Sequence, residues 1–122
     1  KFVVGDYKAR AFKFKLQMTS TSNTATQQVS ALSVEIDMPD RVIAEADIVS
    51  GTSTSGKTIT FSPAFKGLSG IGISAQNLAS GDFYAITSKS ATGFTIEFFN
   101  SSSATVSRTF DYVARGFGEL AS

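Results

Sequence analysis

The sequence predicts an all-β domain, an antiparallel β-sandwich, on three observations. Phe occurs 11 times and Gly 10 times among abundant Ser and Thr, and aromatic and β-branched residues set among small polar ones suit strands and turns. Apolar and polar residues alternate in segment after segment, as strands with one buried face require. Turn clusters recur at Ser80-Gly81, Ala91-Thr92-Gly93 and Ser101-Ser102-Ser103, the rhythm of a sandwich or small barrel. At 122 residues the chain is one domain, or one domain with a piece of a neighbour, and can bury a core without disulfides.

The elements follow in order. Over residues 10–18, Phe12, Phe14, Leu16 and Met18 share one face while Lys13, Lys15 and Gln17 share the other; this is a half-buried strand. Thr, Ser, Asn and Gln dominate residues 19–28, which read as a loop. Alternation resumes through Leu32, Val34, Ile36 and Met38, giving an antiparallel partner for the first strand. Pro39 has no N–H for a sheet ladder, so the chain redirects at Pro39-Asp40-Arg41. Glu45 and Asp47 interrupt the next stretch, so residues 42–49 read as a short helical turn or a linker. Residues 1–41 thus form an N-terminal β-hairpin or the end of a preceding β domain. Residues 42–56 form a linker and 57–122 the sandwich module, with the softest boundary within 37–48.

Strands are expected over 57–61, 70–77, 82–88, 93–100 and 105–115. Gly between Ile71 and Ile73 marks a strand that something approaches closely. The last two strands flank Ser101-Ser102-Ser103 and read as a closing β-hairpin. The chain begins at Lys1 and not Met, which reads as a piece of something longer or a processed product.

Composition narrows the function. With no Cys and no His, the chain lacks thiol chemistry, the usual general base and the commonest transition-metal ligands. Asp37, Asp40, Glu45 and Asp47 are spaced too irregularly for a calcium loop, so no metal and no cofactor is expected. A Ser–Lys dyad would need a dry pocket, whereas Ser88-Lys89-Ser90 reads as a solvated turn. Asp82, Glu97 and Asp111 come from different strands and could converge on one groove as a hydrolytic pair, but ordinary surface acids explain them at least as well. The chain is expected not to be an enzyme.

Formal net charge is +1, so no global field draws nucleic acid. The basic cluster of Lys8, Arg10, Lys13 and Lys15 reads as the wet face of a strand. No apolar run reaches the ~20 residues of a membrane helix and no signal peptide heads the chain, so no membrane insertion is expected.

A binding surface is better motivated. Adjacent Phe83 and Tyr84 cannot both face one core from a strand, so one ring points outward beside Asp82 and Asn77. It offers a sugar ring an apolar plate with hydrogen-bonding groups nearby, or it packs under a loop or at a subunit interface. Phe98-Phe99 poses the same question, and there the second ring meets a neighbouring subunit or sheet. Arg108 alternates with Phe110 and Tyr112, so it needs a carboxylate partner (Asp82, Glu97 or Asp111) or a place at a subunit seam. The candidate ligand-binding residues are Asn77, Asp82, Phe83, Tyr84 and Arg108.

Ile59-Thr60-Phe61-Ser62-Pro63-Ala64-Phe65, Ile71-Gly72-Ile73-Ser74-Ala75-Gln76-Asn77, Thr92-Gly93-Phe94 and Ser107-Arg108-Thr109-Phe110-Asp111-Tyr112-Val113-Ala114-Arg115-Gly116 resemble a bacteriophage family. It is the C-terminal region of tail proteins of the host-specificity protein J and tail-fibre type. Upstream, residues 11–16 and 34–41 resemble the stretch preceding that module. The module is in turn similar to the H-type lectins, trimeric six-stranded sandwiches that bind sugars near subunit seams; those commonly carry Trp where Tyr112 stands. The resemblance implies a homotrimer in the distal tail of a virion, acting outside the host cell. Its implied partners are other tail proteins and a bacterial surface glycan or other outer-surface receptor. A structural trimerisation or capping module is the other reading.

Overall fold

The structure, a computed structural model, describes residues 37–120 continuously and, before them, positions 13, 15, 17, 19, 28, 29, 31 and 33. The expected N-terminal hairpin lies almost wholly outside the described residues. The chain divides into two compact units, Lys1–Ile36 and Asp37–Ser122, and every element named below belongs to the second.

Six strands form that unit: β1 (Asp40–Val49), β2 (Lys57–Thr60), β3 (Gly67–Ala75), β4 (Phe83–Ser90), β5 (Gly93–Phe99) and β6 (Thr109–Phe117). They make two three-stranded sheets, in the orders β1-β6-β3 and β2-β5-β4, with every neighbouring pair antiparallel. No helix occurs among the described residues. The architecture is all-β and consistent with a β-sandwich.

Alternation in the two central strands builds the core. Phe94, Ile96 and Phe98 of β5 are buried, as are Phe110, Tyr112 and Ala114 of β6. Ring pairs join one sheet to the other: Phe94 meets Tyr112 edge-on at 5.2 Å and Phe98 meets Phe110 at 5.6 Å. Phe61 packs on Phe65 at 5.2 Å to close one end. Each such ring contributes roughly 1.5–3 kcal/mol by leaving water. Burial, then the negative charge of Glu45, pushes the Tyr112 phenol up to about 12.

Two expectations need correction. Residues 42–49 are neither a helical turn nor a linker; they form most of β1, paired along β6. Ile43 and Ile48 both face inward, opposite Ala114 and Phe110, although they stand an odd number of residues apart. The ladder register shifts between Glu45 and Ile48, and Asp47 takes a left-handed φ of 58° there. A bulge of this kind breaks period-two alternation without ending the strand. Asp tolerates this backbone better than most residues, and its N–H is tied to Asp111 Oδ1 at 2.9 Å.

The second correction concerns β5 and β6, which lie in different sheets and are no hairpin. Their apolar faces oppose each other across the core, so the connection through 100–108 carries the chain between layers. Asn100 Oδ1 caps that turn by accepting from the N–H groups of Ser102 and Ala104. The real hairpin is β4–β5, closed at Ser90 and Gly93.

Candidate functional site

The end of the sandwich where β3 passes to β4 and β6 begins gathers all five expected residues. Asn77 and Asp82 lie in the β3–β4 connection, Phe83 and Tyr84 open β4, and Arg108 immediately precedes β6. Ser50 fixes Arg108 from the β1 side. The Ser50 N–H donates to Arg108 O and the Arg108 N–H donates to Ser50 Oγ, both at 2.9 Å. Asn77 Oδ1 accepts from the Thr109 N–H at 2.8 Å, extending the β3–β6 ladder by a side chain.

Asp82 resolves the question posed by Arg108. Its Oδ2 accepts from Arg108 Nε at 2.5 Å and from the Ala79 N–H at 2.7 Å. The Asp82 side chain is only 2 % exposed and that of Arg108 19 %, so the pair braces the connection from within. Arg108 Nη1 also donates to Ser107 O. Neither Glu97 nor Asp111 pairs with it: Glu97 Oε1 accepts from Thr105 Oγ1 at 2.8 Å, and Asp111 belongs to another cluster.

The Arg108 bond, then the Ala79 N–H, holds the Asp82 carboxyl below its ordinary 3.8. A depressed carboxylate contributes stability that is complete above the unfolded-state value and lost as pH falls through the folded one. The wild type should therefore lose melting temperature on acidification below about pH 4. Asp82→Asn should start lower and vary less over that range. Parallel wild-type and Asp82→Asn melting curves between pH 2 and 5 (a range set by about one pH unit on either side of the carboxylate pKa) would contradict this linkage.

The two aromatic neighbours take opposite faces, as the strand demands. Phe83 points outward, pairs with Phe99 in register, stacks on it at 5.1 Å and stays 46 % exposed. Tyr84 is paired with buried Phe98 and lies 5.5 Å from its ring, yet remains 42 % exposed. Phe99 therefore meets a ring of its own sheet. The result is a stacked aromatic plate on one side of an edge strand and a half-covered phenol on the other, directly following the Asp82 of the braced ion pair. No family model, curated protein or solved structure matches the chain.

Sequence reasoning missed several residues that shape this end. Gln76 Nε2 donates to Asp47 Oδ1 at 2.9 Å and to Asp111 Oδ1 at 2.6 Å, joining β1 and β6 to the residue that follows β3. Ser50, the buried polar residue among those described, carries no signal in the sequence beyond following an apolar run. Lys13 and Lys15 are exposed, while Lys8 and Arg10 lie outside the described residues. Among the described residues, no three His, Cys, Asp or Glu side chains converge to hold a metal ion.

Proposed function

We propose that this domain is a receptor-binding module of a bacteriophage tail fibre or tail tip, assembled as a homotrimer with other tail proteins and acting outside the host cell. It attaches to a bacterial surface polysaccharide or other outer-surface receptor without breaking bonds. One observation carries the reading: Phe83, stacked on Phe99 and 46 % exposed, offers a rigid aromatic plate at the lip of a sandwich. A sugar ring presents apolar C–H faces that such a plate takes, and the exposed Asn77 amide lies on the adjoining connection. The six-strand count agrees with the resemblance to H-type lectins, and the resemblance in the closing segment supports the tail assignment.

A second reading gains from the internal engagement of Asp82 and Arg108, which leaves those two groups little freedom for a ligand. On that reading the domain trimerises or caps the fibre and another domain holds the receptor site. The intact assembly on an array of bacterial surface polysaccharides separates them. Wild type is expected to bind, and Phe83→Ala to bind about tenfold more weakly, the equivalent of ~1.4 kcal/mol, with its melting temperature retained. A trimer that binds nothing on the array, or equal binding by both proteins, favours the structural reading.

A further inference from the structure

The outward faces of the two sheets differ in a way that folding of one chain does not require. On sheet β2-β5-β4, Thr58, Thr95 and Ser88 share one rung and Glu97 lies near, with the two Thr hydroxyls bonded at 3.1 Å. Beyond the Phe83–Phe99 plate at its end, that is the polar outer face expected of a solvated antiparallel sheet. On sheet β1-β6-β3, one outward rung reads Val42, Arg115, Gly70 and the next Ala44, Val113, Gly72. Val42 is 60 % and Val113 42 % exposed, and Arg115 is the one charge in those two rungs.

The glycines on this face have no internal explanation. A side chain at Gly70 would meet nothing within 4 Å, and one at Gly72 only Val113 O at 3.9 Å. Neither has a positive φ. Each costs a strand roughly 0.5–1 kcal/mol against Ala. A shallow recess of about 500 Å³ opens here, lined by Ser69, Gly70, Ile71, Gly72, Val113 and Arg115.

The edge strand β4 supplies the opposite shape. Tyr84 and Ile86 face inward, opposite Phe98 and Ile96, yet are 42 % and 37 % exposed. Lys89, opposite Phe94, continues the row. Exposed apolar edges invite pairing and are normally covered.

We propose that these surfaces are two halves of one contact between copies of this chain, the β4 row of one protomer lying across the outer face of sheet β1-β6-β3 of the next. Bulky Tyr84 and Ile86 fit a bare floor, and the charges match. Asp111 Oδ1 takes the Gln76 and Asp47 donors, while its Oδ2 has no donor among the described residues. Tyr84 to Lys89, shortened by the register shift between Ile86 and Ser88, spans about 13 Å, and so do the four steps from Arg115 to Asp111. Lys89 therefore reaches the neighbour's Asp111 while the Tyr84 ring receives its Arg115, a cation–π pair, and Ile86 covers Val113 and Gly72. A contact between unlike patches closes into a ring where the rotation allows; the inference rests on the trimer of the proposed function and assigns its seam.

The chain has no Cys, so introduced thiols report the contact cleanly. Gly72→Cys and Ile86→Cys are prepared singly, mixed in equal amounts, and combined in one chain, then treated with a short bismaleimide. Light scattering is expected to give three chains per particle. The mixture should yield linked pairs and the double variant linked trimers, whereas each single variant should yield none. A trimer that gives no links in the mixture or the double variant overturns the seam and leaves the trimer standing. Self-linking of Gly72→Cys indicates a face-to-face twofold contact and overturns the edge-to-face arrangement. A wild type that stays monomeric at every concentration overturns both. Circular dichroism melts confirm that each variant folds.

Discussion

Gly116→Ala is expected to destabilise the domain by about 3 kcal/mol or more, the upper end for overpacking a closed site. Gly116 occupies an inward position of β6, in the row Phe110, Tyr112, Ala114, Gly116. A Cβ there would run into the carbonyl oxygen of Gly67 and stand 2.7 Å from Phe65 Cδ1. The first obstacle is backbone of the neighbouring strand, and the second is a ring with no exposed surface, so neither can retreat cheaply. Relief of unfolded-chain entropy would return only about 0.4–1 kcal/mol, and the clash wins. For a unit of this size the melting temperature should fall by about 15 °C. Gly72→Ala makes the matched control, because its Cβ has room in the isolated protomer; its melt in the monomeric state should rise by about 2–6 °C, the gain from replacing a strand glycine. A Gly116→Ala protein melting within about 3 °C of wild type, under 1 kcal/mol, would show that the β3–β6 approach is looser than described.

Arg41→Ala should cost about 2–4 kcal/mol, the range for losing several charge-assisted bonds at a partly buried site. Its guanidinium donates from Nη1 to Gly118 O at 2.6 Å and to Ala64 O at 3.2 Å, and from Nη2 to Pro63 O at 2.8 Å. It also lies 4.8 Å from the centre of the Phe65 ring. One side chain therefore ties the start of β1 to the β2–β3 connection and to the residue after β6. A planar fork can serve three carbonyls at once, whereas an ammonium is a point donor on a flexible stem. Arg41→Lys should accordingly recover less than half of the loss. Urea unfolding with a common slope measures both variants, and an Arg41→Ala midpoint equal to wild type would refute the clamp.

Both residues illustrate how much the sequence discloses. Alternation made the inward row of β6 legible, but the need for Gly at its end depends on Phe65, whose position against β6 no periodicity reveals. Arg41 read as part of a chain redirection, because three backbone acceptors leave no trace in side-chain pattern. The Asp47 bulge hid β1 by the same logic, shifting the face of Ile48 relative to Ile43. Alternation reports which face a residue takes and is silent on which strand lies beside it, so β5 and β6 could be mistaken for a hairpin. At the candidate site, chemistry was the better guide. A guanidinium in line with core rings had to find a carboxylate, and Asp82 is that partner; two adjacent rings had to part, and Phe83 and Tyr84 do.

Direct competition for the receptor tests the central claim most simply. Purified wild-type assembly is added to host bacteria before the phage, alongside Phe83→Ala protein of equal mass and melting temperature. Wild type is expected to occupy the surface glycan and reduce adsorption, with about tenfold more Phe83→Ala needed for the same block. Equal blocking by the two proteins, or none by either, would contradict recognition by the exposed ring on β4.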